Sequence, residues 1–192
     1  LLVELESILE PLPIDRLFVR AQPLEVELGS GDGSFLIEYA RLHPKVNFLG
    51  VERLLGRLRK LDRKGRRAHL SNLRGVQIEC AYFLRYLLPP ESCRAIHLYF
   101  PDPWPKRRQQ KHRLVNEEFP GLVRRALQPG GALYLRTDAA DYFAHMLEVF
   151  ESARAFSKME TPPELLRLTT DFEREFNAKG KPTLCAAFMR AE

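Results

Sequence analysis

Apolar residues along this chain follow two rhythms that take turns. Short, nearly unbroken apolar runs read as buried strands: "EVELGSG" (25–31), "VNFLGVE" (46–52), "VQIEC" (76–80), "AIHLYF" (95–100) and "ALYLRT" (132–137). Between them lie segments with helical spacing. "SFLIEYARLH" (34–43) stops at Pro44, and "LLGRLRKLDRKGRRAHL" (54–70) is a basic helix that loosens near Gly65. "NEEFPGLVRRAL" (116–127) has Asn116 as its cap and Pro120 near the first turn, and "AADYFAHMLEVFESA" (139–153) follows the turn "QPGG" (128–131) and its strand. The last quarter offers a short strand near Phe156, a polar segment with Pro162 and Pro163, and a closing strand "TLCAAFMR" (183–190). Such alternation predicts an α/β fold, a doubly wound, mostly parallel sheet with helices on both faces. No repeat, low-complexity tract or linker interrupts it. Residues 1–192 are therefore expected to form a single domain, with 1–24 as a helical or loop lead-in. Sheets of this kind bind ligands at the carboxyl ends of their strands, where strand order reverses.

The first candidate site lies at such an end. In "VELGSGDGSF", Gly29, Gly31 and Gly33 separate a strand from a helix, and Glu52 closes the next strand. A carboxylate there can accept both hydroxyls of a ribose. The spacing is G-x-G-x-G, not the G-x-G-x-x-G of a dinucleotide site, and Glu27 stands in front of it. An acid beside the loop repels pyrophosphate and suits a positively charged ligand, such as an ammonium or a sulfonium.

Charge sharpens the picture. The chain carries a formal net charge of +5, and 22 of its 30 basic residues are Arg. Arg forks onto phosphate and stacks on bases, so a polyanionic partner is expected. Residues 106–113 hold five Lys or Arg and no acid, and residues 57–67 hold seven more. No apolar run approaches the ~18 residues of a membrane helix. The opening segment has acids at Glu4, Glu6 and Glu10 and no basic stretch, so it does not read as a secretion signal. It also opens without Met, as a trimmed chain would. Cys80, Cys93 and Cys185 are odd in number and far apart, and the five histidines lack metal-ligand spacing. Neither a disulfide frame nor a metal site is expected, and a reducing cytoplasm is the simplest compartment.

The second candidate site is "YFPDPWPKRRQQKHR" (99–113). It sets Asp102 between Pro101 and Pro103 at the end of a strand, with the lone Trp104 and the basic run immediately after. The prolines fix backbone angles, which lets a carboxylate read a donor pattern. Trp104 offers a face for a base, or else packs in the core. Arg107, Arg108, Lys111 and Arg113 are candidate phosphate ligands.

Here the sequence closely resembles a known family. "FPDPWPKRRQQKHRL" and "TTDFEREFNAKGKP" are similar to signature segments of the bacterial tRNA (guanine-N(7)-)-methyltransferases, and "RTD" (136–138) matches a third family position. The glycine loop resembles motif I of the Rossmann-like, S-adenosylmethionine-dependent methyltransferases. The likeness runs from about Ile14 to the C-terminus. It implies a class I methyltransferase with a seven-stranded sheet and an antiparallel last strand. It also implies methylation of guanosine at tRNA variable-loop position 46, with S-adenosyl-L-methionine as donor and tRNA as partner, by a monomer or homodimer. By the family pattern Glu27, Gly29, Gly31, Gly33, Glu52, Cys80 and Ala81 hold the cofactor and Asp102 is the active-site acid. Lys106, Asp138, Thr170, Asp171, Phe172 and Glu173 contact the substrate. The chain departs from the pattern at Cys80, where Asp or Asn is usual, and at Gln109, Gln110 and His112 within the basic run.

Nitrogen 7 of guanine has a free lone pair and needs no general base, which agrees with the lack of His or Cys in these motifs. Asp102 is expected to accept hydrogen bonds from the Watson–Crick edge of a guanine drawn out of its stack. Three other readings remain open at this point. An exocyclic-amine methyltransferase would carry D/N-P-P-Y/F/W at the same strand end, a nicotinamide-dependent dehydrogenase would need the other glycine spacing, and a non-enzymatic RNA-binding module would need no cofactor loop.

Overall fold

The structure, a computed structural model, describes the backbone of all 192 residues and every side chain except those of Asp171, Phe172 and Glu175. Its centre is made by fully buried strands. β2 (Leu24–Leu28) and β3 (Asn47–Glu52) are buried at every position, the condition of strands covered on both faces. With β1 (Leu2–Val3), β4 (Leu73–Gln77), β5 (Cys93–Tyr99), β6 (Leu127–Thr137), β7 (Phe156–Met159) and β8 (Leu184–Arg190) they form one sheet in the order β1-β4-β3-β2-β5-β6-β8-β7. All neighbours pair in parallel except β8, which runs antiparallel between β6 and β7. The expected mostly parallel sheet with an antiparallel last strand is present. It gains an eighth strand because Leu2 and Val3, inside the expected lead-in, pair with Gly75 and Val76.

Helices cover both faces. After the single turn of α1 (Ile14–Leu17), α2 (Ser34–Leu42) buries Phe35, Leu36, Tyr39 and Ala40. α3 (Leu55–Arg67) buries only Leu58, Leu61 and Gly65, a narrow stripe that leaves most of its cations in solvent. Burying a leucine side chain contributes about 1.5–3 kcal/mol, so two leucines are enough to dock a helix whose other faces are charged. α4 (Cys80–Tyr82) runs into a wider turn at Phe83–Leu87, and α5 (Phe119–Ala126) and α6 (Ala140–Glu151) complete the other layer. The helix expected over 116–127 starts later, at Phe119 with Glu118 at its N-cap, so Asn116 forms a turn ahead of it, its Oδ1 accepting from the amides of Glu118 and Phe119.

Two expectations shift. The strand placed at 76–80 lies earlier, at Leu73–Gln77, because Glu79 turns the chain: its carboxylate accepts from the amides of Ala81 and Tyr82. The polar last quarter contains α7 (Pro163–Arg167) and α8 (Asp171–Ala178), which its composition hides. Among the described residues no helix is long and apolar enough to cross a membrane. The strand order reverses at β2, which pairs with β3 on one side and β5 on the other. The ligand cleft of a doubly wound sheet belongs above that point.

Candidate active site

Above the carboxyl ends of β2, β3 and β5 lies a cavity of about 240 Å³. Its wall includes Gly29 from the loop after β2, Glu52 from β3, Arg53 from the turn after it, Arg57 from the first turn of α3, and Glu79 and Cys80 from the turn after β4. Phe100, Pro101, Asp102, Trp104 and His112 come from the segment after β5. The two motifs that sequence reading singled out separately therefore share one cavity.

The glycine loop is built by its neighbours. The amides of Gly29 and Ser30 both donate to the Val51 carbonyl, at 2.8 and 2.9 Å. Gly31 has φ 56° and its amide donates to Glu52 Oε2 at 3.0 Å. A Cβ at Gly31 would meet nothing within 4 Å, so its left-handed backbone, not crowding, is what calls for glycine. Gly33 differs: at φ 77° a Cβ would fall 2.8 Å from Leu61 Cγ, so glycine there lets α2 seat against α3. The Glu52 carboxylate also accepts from the Leu54 amide at 2.7 Å. One bond to each oxygen holds the group in place and leaves lone pairs for a ligand hydroxyl.

Glu27 lies buried beneath the loop and is absent from the cavity wall. Its Oε2 has no hydrogen-bond partner among the described residues. Burial pushes its carboxyl well above the usual carboxylate range; the Arg136 guanidinium pulls the other way, and Asp32, Glu52 and Glu173 add to the rise. Cys80 lines the cavity, and burial with the nearby Glu79 carboxylate pushes its thiol up to about 12, so it is a neutral group at pH 7. Ala81 is half-buried and its amide is already taken by Glu79.

Asp102 is exposed at the cavity mouth. The backbone on either side is unusual: Phe100 has φ 51° and Trp104 φ 43°. Left-handed geometry at a bulky residue costs about 1–3 kcal/mol, and such strain persists only where surrounding structure enforces it. The enforcement is visible. The Phe100 amide donates to the Arg136 carbonyl at 2.8 Å, and Arg113 Nε donates to the Pro103 carbonyl at 2.8 Å. Trp104 is half-buried and faces the cavity, its ring 5.3 Å from that of His112.

The basic residues divide. Lys106, Arg107, Arg108 and Lys111 are exposed, the last three on a turn of tighter helix, Arg107–His112. Arg113 is a correction to the expected phosphate ligands: it is only 6% exposed. Its guanidinium is spent on Pro103, on Asp141 at 2.5 Å and on the Tyr142 ring. Arg57 and His112 reach the same cavity, so the two basic segments meet there.

The expected substrate contacts divide as well. Asp138 is half-buried just past the end of β6. Thr170 and Glu173 are buried and form a capping box: Thr170 Oγ1 accepts from the Glu173 amide at 3.0 Å, and Glu173 Oε2 accepts from the Thr170 amide at 2.7 Å. Glu173 borders a second opening, with Arg136, Thr169, Asn177, Thr183 and Cys185. The side chains of Asp171 and Phe172 lie outside the described residues. Sequence reading missed Arg53, Arg57 and Glu79 on the cavity wall, and Arg136 behind it. The T-x-x-E of a capping box was the available signal for the start of α8.

Comparison with known proteins completes the picture. A family model described as "Putative methyltransferase" matches residues 21–186. The tRNA (guanine-N(7)-)-methyltransferase of Alkalilimnicola ehrlichii is 38% identical over 192 aligned residues, covering 95% of this chain and 79% of that protein. The one of Halorhodospira halophila is 37% identical, covering 88% and 75%. Among solved structures, a 16S rRNA methyltransferase superposes with a TM-score of 0.68 at 13% identity, over 93% of each chain. A geranyl diphosphate C-methyltransferase of Streptomyces coelicolor, solved with S-adenosyl-L-homocysteine, does so with 0.56 at 16% identity, over 93% of this chain and 73% of that one. At such identities the structures establish the fold alone, a Rossmann-like methyltransferase fold, whereas the sequence relatives establish the family: the chain belongs to the tRNA (guanine-N(7)-)-methyltransferases.

Proposed function

We propose that this chain transfers a methyl group from S-adenosylmethionine to nitrogen 7 of guanosine at variable-loop position 46 of tRNA. The observation that supports the reading is the shared cavity, whose wall includes Gly29 of the glycine loop, Glu52 and Asp102.

The residues fit the donor. Open space lies above Gly31, the Glu52 carboxylate is held with lone pairs to spare, and Glu27 keeps an unpartnered buried oxygen beneath the loop. Glu52 would hold the ribose hydroxyls, Glu27 beneath the loop would take on negative charge as a cationic ligand offsets its burial, and Cys80 offers only a neutral wall near the base. When bound, this cofactor supplies a methyl group on a positively charged sulfur.

The target nitrogen already carries a lone pair, so the chain's residues have no proton to remove there. Their task is to position and orient. Asp102 accepts from the two adjacent donors of guanine's Watson–Crick edge. Adenine would set a ring lone pair against that carboxylate, an unsatisfied pairing that costs about 1–3 kcal/mol. Lys106, Arg107, Arg108 and Lys111, with the exposed cations of α3, supply phosphate contacts that position the RNA without reading its sequence. Trp104 faces the cavity and offers a surface on which a displaced base stacks.

Mass spectrometry of nucleosides from tRNA incubated with enzyme and donor tests the reading. It expects 7-methylguanosine. A methylated amino group would point to the exocyclic-amine alternative, and no mark at all would remove the activity.

A further inference from the structure

We infer that Lys64 is a positioning residue for the methyl donor: through Asp32 it holds the glycine loop against α3, and it is not one of the cations that meet the RNA. The inference deepens the function proposed above and rests on it.

The loop is fastened from two sides. Residues 29–31 hang on the end of β3, through the Val51 carbonyl and the Glu52 carboxylate. The far side, where the chain turns into α2, has one side-chain anchor. Asp32 Oδ1 accepts from the Ser34 amide at 3.2 Å, and Oδ2 accepts from Lys64 Nζ at 2.6 Å. Ser30 Oγ, the loop's other polar side-chain group, has no hydrogen-bond partner among the described residues. Burial pushes the Asp32 carboxyl up, but the bond and charge of Lys64, with the Ser34 amide, outweigh it and leave it below its ordinary 3.8. It is therefore charged at neutral pH, as the pairing needs.

α3 offers the matching face. Leu61 and Lys64 are three residues apart and share one side of the helix. Leu61 Cγ lies 2.8 Å from where a Cβ at Gly33 would fall, so the loop rests directly on that side. One turn on, Lys64 closes on Asp32. The other six Lys and Arg between 57 and 67 are exposed, whereas Lys64 is half-buried. Neither Lys64 nor Asp32 lines the cavity, so the pair acts through the loop and not by contact with donor or guanine. α3 thus turns exposed cations outward and a clamp for the loop inward.

Charge separates a clamp from a simple field effect. Asp32 acts on the buried Glu27 beneath the loop, and the donor carries a positive sulfur. Were the local field all that mattered, Lys64→Met would add net negative charge and tighten donor binding, while Asp32→Asn would weaken it. A pair that holds the loop makes both variants weaker.

Isothermal titration with S-adenosylmethionine decides, on the wild type, Lys64→Met, Asp32→Asn and the double variant. Asp32→Asn keeps an acceptor for the Ser34 amide and removes the ion pair. The two side chains are 39% and 35% exposed, and pairs so placed contribute modestly, so each single variant should raise the donor Kd by about 2- to 5-fold. The double variant should be no weaker than either, because both remove the same bond. Lys64→Arg, which can also pair with Asp32, should recover most of the affinity. In Lys64→Met, kcat at saturating donor and the log–log salt slope of tRNA binding should stay at wild-type values. Opposite shifts in the two single variants, an unchanged Kd in both, or losses that add in the double variant would overturn the clamp. A salt slope reduced by about one unit in Lys64→Met would return Lys64 to the phosphate ligands. Wild-type enzyme that binds no donor would overturn the proposed function itself.

Discussion

Arg113 Nε donates to the carbonyl oxygen of Pro103, so the last cation of the basic run props the loop that carries Asp102. The same side chain reaches Asp141 on α6, which ties the loop to a helix of the opposite layer. Arg113→Ala should therefore act on turnover, not on RNA affinity. Losing a buried charge-assisted bond costs about 1.5–3 kcal/mol of stability, and kcat should fall as the loop loosens. The salt dependence of tRNA binding, measured by filter retention, should stay as in the wild type. A flattened salt slope would return Arg113 to the phosphate ligands.

Asp102→Ala should abolish methyl transfer while tRNA still binds, because affinity rests on the exposed cations. Asp102→Asn is the sharper variant, since it keeps the shape and turns one oxygen into a donor facing a donor. A loss of about 10- to 100-fold or more in kcat/KM is expected, the scale of a missing charge-assisted hydrogen bond. Near-normal turnover in either variant would remove Asp102 from the reaction.

Replacing Arg107 and Arg108 by Ala should weaken tRNA binding at all salt concentrations and reduce the magnitude of the log–log salt slope by roughly one unit per cation. Both side chains are exposed, so melting temperature should hardly change. An unchanged slope would leave the phosphate contacts to α3.

Acid stability follows from Glu25, which accepts from Arg94 at 2.7 Å and pairs with the buried His97 at 2.8 Å. Burial pushes its carboxyl upward, but the bonds and charges of His97 and Arg94 outweigh it and leave it below its ordinary 4.5. A carboxyl lowered in the folded state stabilises above its unfolded value and loses that contribution as pH falls through the folded one. Thermal unfolding should show the melting temperature dropping as pH falls below about 4.5. Glu25→Gln should start lower and fall less steeply. An equal slope in both proteins would show that this group does not set the acid limb.

How much of this was legible in the sequence depended on whether a residue's task is local. The strands of the sheet declare themselves because burial on both faces demands apolar residues at most positions, although β2 and β3 also bury Glu25, Glu27, Asn47 and Glu52. Gly31 and Gly33 are readable because left-handed backbone between a strand and a helix favours glycine. Asp102 stands out because two prolines and a strand end leave it little freedom. Arg113 was opaque for the opposite reason. A cation in a basic stretch looks the same whether it meets phosphate or a carbonyl of the neighbouring loop, as that of Pro103 is. Thr170 and Glu173 carried the spacing of a helix cap, but the polar composition around them drowned it.

The central claim is that the carboxylate at 102 presents guanine N7 to a donor held at the glycine loop. Borohydride reduction followed by aniline scission, which cuts RNA at 7-methylguanosine, tests it most directly on tRNA treated with wild-type and Asp102→Ala protein. The account predicts one cut, in the variable loop, with the wild type and none with the variant. Equal cutting by both proteins, or none by the wild type, would contradict it.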